Sequence, residues 1–218
     1  MADINNYYEF GNTQNPSQII FLLHGVGSNG QDLIQLAPYM AAKLPDALFI
    51  SPDAPFACDM APVGFQWFSL QDRSPAMLQA GIETTMPILQ KFIQQQCARF
   101  DLPLTKAALV GFSQGTMMSL YTAPRLPETL AAVLGFSGAL FGEQDIIAKP
   151  DAYKKPPIYL AHGQADDVVP VAAYDHAYAA LKQAGFTVDG HTTPQLPHSI
   201  DEEGIEKGSA FLQKALAE

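Results

Sequence analysis

Short apolar runs alternating with helical periods are the feature that most constrains this chain. Gln18 to Leu23, Ala47 to Ile50, Lys106 to Val110, Leu130 to Phe136, Ile158 to Ala161 and Phe186 to Thr192 each read as a strand. The first is continuously apolar, as expected where both faces of a parallel sheet are covered. Between the runs, residues 31–43, 76–99, 114–123, 172–182 and 200–216 read as helices. In the first of these, Leu33, Leu36, Ala37 and Met40 share one face. A bend is expected at Pro87, because proline has no N–H and crowds the preceding turn. Such repetition predicts an α/β fold, a mostly parallel central sheet with helices on both faces. Ligand sites in these sheets gather at the carboxyl ends of the strands. No repeat or Gly/Ser-rich linker interrupts the pattern, so one domain is expected over 1–218.

Residues 52–74 break the alternation. They have no regular period, yet hold Phe56, Met60, Val63, Phe65, Trp67, Phe68 and Leu70. An irregular segment this long and apolar is expected to cover something.

Composition narrows the function. The chain is 48% hydrophobic and 16% charged, which excludes general disorder. Its formal net charge of −10 makes nucleic acid a poor partner. No apolar run approaches the ~18–20 residues that span a bilayer, so no stable membrane insertion is expected. The start, Met1 to Asn6, lacks a basic and then apolar leader, so no secretory signal is expected. Cys58 and Cys97 are too few for a disulfide scaffold and lack zinc-site spacing. Free thiols in a reducing cytoplasm are the expectation.

The chemistry is carried by Gly111-Phe112-Ser113-Gln114-Gly115, a G-x-S-x-G run with a strand before it and a helix after it. That is the setting of a nucleophile elbow. A serine at so sharp a turn holds strained dihedrals, and side chains two residues to either side would collide, hence the glycines. The helix behind it supplies a positive dipole end and free N–H groups. The bland reading is a glycine-flanked helix cap.

A serine hydroxyl needs a base. His198, in a loop after the last strand, is the candidate. His24 and His162 stand in His-Gly pairs that suit turn fixing, while His176 lies in a helix and His191 in a strand. An orienting carboxylate is expected between serine and histidine in the chain. Asp166 and Asp167 follow the strand ending at Ala161, and adjacent loop residues rarely aim at one point. Asp166 is the choice.

Gly25-Val26-Gly27-Ser28-Asn29-Gly30 competes with this reading. It matches the dinucleotide fingerprint G-x-G-x-x-G between strand and helix, and Asp53 stands where a ribose-binding acid would. A nucleotide binder would leave the elbow and the late histidine unexplained. In a hydrolase the same loop supplies Val26 N–H, which with Gln114 N–H would form an oxyanion hole. A hydrolase fold kept as a non-catalytic binding module is the other alternative.

Together with Phe21-Leu22-Leu23-His24-Gly25-Val26-Gly27, His162-Gly163-Gln164-Ala165-Asp166, Pro197-His198, Ser51-Pro52-Asp53-Ala54-Pro55 and Gln66-Trp67-Phe68, the elbow resembles the bacterial carboxylesterase/phospholipase family that includes the acyl-protein thioesterases. The resemblance runs from about Gln18 to the C-terminus. It implies an α/β-hydrolase fold with little or no cap, acting on carboxylic esters or thioesters without cofactor or metal. Ser113, Asp166 and His198 match the triad positions, Val26 and Gln114 the oxyanion positions. Two departures stand out: Thr116 where the elbow often has another glycine, and Pro197 where a glycine usually precedes the histidine. Trp67, Phe68, Phe65, Met60 and Leu70 are candidate walls of an apolar acyl site, with Val168 and Val169 facing the same space. The expected partners are small-molecule or lipid esters or an acylated protein. Lipid contact or a homodimer through the apolar loop at 56–70 stays open.

Overall fold

The structure is a computed structural model that describes residues 2–217, so the terminal residues of the 1–218 span lie outside it. Its centre is a seven-stranded sheet built from β1 (Tyr7–Gly11), β2 (Gln18–Leu23), β3 (Ala47–Pro52), β6 (Ala107–Phe112), β7 (Ala132–Phe136), β8 (Ile158–Gly163) and β9 (Val188–Thr193). The spatial order is β1-β3-β2-β6-β7-β8-β9. All pairs are parallel except β1 against β3. The expected mostly parallel sheet is therefore present, with one antiparallel edge strand that the sequence reading missed. Tyr7–Gly11 is short, lies at the sheet edge with none of its residues fully buried, and lacks the continuous apolar run that marks the inner strands.

Successive residues of β2 point to opposite faces and feed two cores. Ile19, Phe21 and Leu23 pack with Ile82 and Leu89 of α3 (Pro75–Arg99), Met118 of α4 (Gln114–Thr122), Ile146 of α5 (Glu143–Ala148) and Ala177 of α6 (Ala172–Gln183). Ile20 and Leu22 pack with Leu33 of α1 (Gly30–Leu33), Met40 of α2 (Ala37–Ala41) and Leu212 of α7 (Glu202–Ala217). The helix expected over 31–43 is split by a 3-10 turn at Ile34–Leu36, with Pro38 opening α2. The long helix runs through Pro87 without ending. Among the described residues no helix is long and apolar enough to cross a membrane.

The segment between β3 and α3 folds over the carboxyl ends of β2 and β6. It holds a two-stranded antiparallel sheet, β4 (Phe56–Ala57) with β5 (Phe65–Gln66). The chain leaves β2 toward β3 on one side and returns to β6 on the other, so the strand order reverses between β2 and β6. That reversal opens a crevice where their loops diverge. The Gly25–Gly30 loop follows β2 and Ser113 follows β6.

Candidate active site

Ser113 sits between β6 and α4 with φ 55° and ψ −116°, a conformation that non-glycine residues rarely adopt. The surroundings hold it there. Its N–H donates to the Phe136 carbonyl at 2.9 Å, and its own carbonyl accepts from Met117 N–H at 3.1 Å. The flanking glycines are required by contact. A β-carbon on Gly111 would stand 2.4 Å from the Gly115 carbonyl carbon and the Thr116 nitrogen. One on Gly115 would stand 1.8 Å from the Leu23 carbonyl oxygen.

Thr116, the departure at the elbow, is buried, and its hydroxyl donates to the Phe136 carbonyl at 2.7 Å. Space for it comes from β7 and the loop that follows it. A β-carbon on Gly138 would lie 2.4 Å from Thr116 Cβ, and one on Gly135 2.6 Å from its Cγ2. The residues that make room stand on the neighbouring strand and the loop after it, where single-sequence reading could not connect them to the elbow.

Asp166 is buried with its side chain fully covered. Its Oδ2 lies 2.7 Å from His198 Nδ1 and 3.3 Å from His162 Nε2. Its Oδ1 accepts the backbone N–H groups of Val168 at 2.9 Å and Val169 at 2.8 Å. Burial pushes the Asp166 carboxyl up. The hydrogen bond from His198, then those from Val169 and Val168, outweigh burial and leave it below its ordinary value. The group is thus held as an anion. Asp167 is exposed.

The second departure, Pro197, is absorbed by the loop it belongs to. Gln164 N–H donates to the Thr193 carbonyl at 2.9 Å and Ala165 N–H to the Leu196 carbonyl at 3.0 Å. Carbonyls of the histidine loop serve as acceptors there, so proline's missing donor is not needed. Gly163 permits the approach, since a β-carbon there would be 2.2 Å from the Leu196 oxygen.

The His198 ring packs on Phe112, the residue before Ser113, with centroids 4.8 Å apart. Its Nε2 makes no hydrogen bond to a protein group among the described residues, and no Ser113–His198 bond is closed. Serine–base bonds are often long without substrate and tighten when it binds.

Ser113 lines a cleft of about 310 Å³ together with Val26, Gln114, Leu70, Met117 and Val169. Met60, Val168, Cys58, Leu78 and Arg73 also border it. Four of the seven apolar walls expected from sequence, Met60, Leu70, Val168 and Val169, are thus brought to the serine. The other three are corrected. Trp67 is fully buried, its ring nitrogen donating to the His24 carbonyl at 2.9 Å, and Phe68 is also buried in the core. Phe65 packs against the core, and its backbone pairs with Gly27 and Ser28 at 2.8 Å each, bracing the Val26 loop. Their side chains are drawn inward because the segment is a covering layer with its own underside to bury. Sequence reasoning missed Leu78 and Met117. Both lie on helix faces turned to the cleft, a direction that helical period alone does not assign.

Gln114 carries a second role that sequence did not reveal. Its side-chain oxygen accepts Trp67 N–H at 3.0 Å and its Nε2 donates to the Phe68 carbonyl at 2.8 Å, tying the covering segment to the elbow. Gln114→Ala strands both backbone groups, at about 1–3 kcal/mol for each. The expected result is a loss of about 2–6 kcal/mol in urea unfolding. An unchanged midpoint would show that the tether contributes nothing.

The competing dinucleotide reading fails on the same loop. Asp53 Oδ1 accepts Gly30 N–H at 2.8 Å, so a carboxylate already fills the helix start where a pyrophosphate would lie. Gly30 is glycine because a β-carbon would meet the Ser51 oxygen at 2.3 Å. His24 is a buried brace: Nδ1 donates to the Gly25 carbonyl at 2.7 Å and Nε2 accepts Ala54 N–H at 3.0 Å. Burial lowers its pKa, consistent with the neutral ring this pairing needs.

Comparison with known proteins bears on the family and the fold. The family described as phospholipase/carboxylesterase matches residues 11–216. Esterase YpfH of Escherichia coli is 29% identical over 87% of this chain and 79% of its own length. Acyl-protein thioesterase 1 of Gibberella zeae is 27% identical, covering 94% and 92%. The crystal structure of esterase PE8 superposes with a TM-score of 0.90 at 35% identity over 99% of both chains.

Proposed function

This chain belongs to the phospholipase/carboxylesterase family, and on that footing we propose that Ser113, His198 and Asp166 carry out its hydrolysis of carboxylic esters or thioesters. The fold is that of the α/β-hydrolase esterases. One observation carries the assignment of residues: a buried anion, Asp166, holds His198 by Nδ1 with the ring against Phe112, one residue from the strained Ser113.

The roles follow from that placement. Asp166 accepts a hydrogen bond from Nδ1–H, which keeps the proton on Nδ1 and leaves Nε2 as the basic nitrogen. Nε2 takes the Ser113 proton as Oγ attacks the ester carbonyl. The carbonyl oxygen becomes an oxyanion and is held by Val26 N–H and Gln114 N–H. Gln114 is the first residue of α4, so its N–H is one of the donors a helix start leaves free. Each such donor contributes about 2.7–4 kcal/mol to lowering the barrier. The tetrahedral species collapses, and the leaving alcohol or thiol takes the proton from His198. Water then attacks the acyl-Ser113 by the same route, releasing the acid.

The substrates in this reading are esters or thioesters of small molecules, lipids or proteins. The apolar walls Leu70, Leu78, Met117 and Val169 suit an acyl chain. A reducing cytoplasmic setting is part of the same reading, since Cys58 and Cys97 are both unpaired.

The test is covalent capture. A fluorophosphonate probe is expected to add its mass to the peptide that carries Ser113, located by tandem mass spectrometry. Labelling elsewhere, or none, would overturn the assignment and favour a binding module.

A further inference from the structure

Arg73 is the one cation among the residues that border the cleft, and none of those residues is a carboxylate. Its guanidinium is exposed and has no acidic partner among the described residues. The carboxylates nearest in sequence are engaged elsewhere: Asp72 accepts Ser74 N–H at 2.8 Å, and Glu83 accepts from Gln79 at 2.9 Å and from the Tyr121 hydroxyl at 3.2 Å. Ser74 follows at the N-cap of α3, a 25-residue helix whose first turn comes next. Pro75 opens that turn, and Leu78 brings it to the cleft wall. An arginine with no acidic partner at its rim makes one corner of an otherwise apolar cleft attractive to anions. The contrast with the rest of the molecule is sharp, because the chain as a whole carries a formal charge of −10.

We propose that Arg73 selects esters that carry an anionic group, a carboxylate or phosphate, in the portion lying at this corner of the cleft. The inference rests on the hydrolase reading above and adds a substrate class to it. Arginine suits the task because its planar fork can bind a carboxylate or phosphate through two parallel hydrogen bonds.

Two matched substrate pairs test it. Butyrate and hemiglutarate p-nitrophenyl esters place the anion on the acyl side. Butyryl glycerol and butyryl glycerophosphate place it on the leaving group. In one pair the wild-type ratio of kcat/KM, anionic over neutral, is expected to exceed that of Arg73→Gln by on the order of fivefold, the size of an exposed charge contact. Arg73→Lys should keep part of the preference, and about 0.5 M salt should erode it. Taking a ratio divides out any general loss of activity in the variants, and probe labelling at Ser113 checks that they are folded. The pair that responds identifies the side of the ester that carries the charge. Equal ratios for wild type and Arg73→Gln in both pairs would overturn this inference while leaving the hydrolase reading intact. No turnover of any of the four substrates, together with no labelling, would remove both.

Discussion

Ser113→Ala is expected to lower kcat on an activated ester by on the order of 10⁵–10⁶-fold, as triad deletions do elsewhere. That corresponds to about 7–8 kcal/mol of transition-state stabilisation. The size follows from what the change removes. No other group is held at the turn by both strand and helix, so alanine leaves water as the only nucleophile. The oxyanion donors and the cleft survive, and they keep a residual rate above that of solution. Folding should be preserved, since alanine can take any backbone geometry that serine takes. The measurement is kcat on a p-nitrophenyl ester, with circular dichroism to verify the fold. Retention of more than a tenth of wild-type kcat would sink the assignment of the nucleophile.

Asp166→Asn is expected to cost on the order of 10⁴-fold in kcat, about 5 kcal/mol. An asparagine is nearly the same shape, so the loss comes from chemistry and not from space. In the native protein Oδ2 faces His198 Nδ1 at 2.7 Å while Oδ1 is committed to the Val168 and Val169 N–H groups. An amide must keep its oxygen toward those two backbone donors. Its NH₂ then faces Nδ1, forces the proton onto Nε2 and removes the base that Ser113 needs. Asp167→Asn serves as the control, because that side chain is exposed and should tolerate the change within about twofold. A severe loss at Asp167 with a mild one at Asp166 would move the acid by one residue. An equal loss at both positions would point to damage of the loop instead of loss of a charge.

The strands and helices that build the sheet were legible because their signals are local. A continuous apolar run such as Ile19 to Leu23 and a helical stripe such as that in Ala172–Gln183 each encode their own geometry through side-chain direction. Tyr7–Gly11 was not legible. Its antiparallel partner β3 lies about forty residues away, and Tyr7 and Phe10 find their packing partners, Phe92 and Phe49, as far off or farther, so five residues without apolar–polar alternation gave no strand signal alone. The Gln31–Lys43 stretch was half read: the apolar face was right, but Pro38 turned one helix into two with a 3-10 step between them.

The site divides along the same line. The chain's own order of residues determined the elbow, with its strand, its glycines and its serine, since the steric conflict at a sharp turn lies between neighbours two to four positions apart. It also determined which histidine and which aspartate were available, through their positions after strands. Only tertiary structure decided which way the side chains of the covering segment face. Trp67 and Phe68 turn into the core, and Met60 and Leu70 border the cleft, although all four stand in one irregular stretch. Only tertiary structure decided that Thr116 fits, because Gly135 and Gly138 clear the space from another strand and its loop. Pro197 is harmless for a similar reason, as its loop is held by acceptors that pair with donors after β8. Steric demands within a turn are written in consecutive residues. Burial and clearance are settled between segments far apart in sequence, where packing leaves room for only one arrangement.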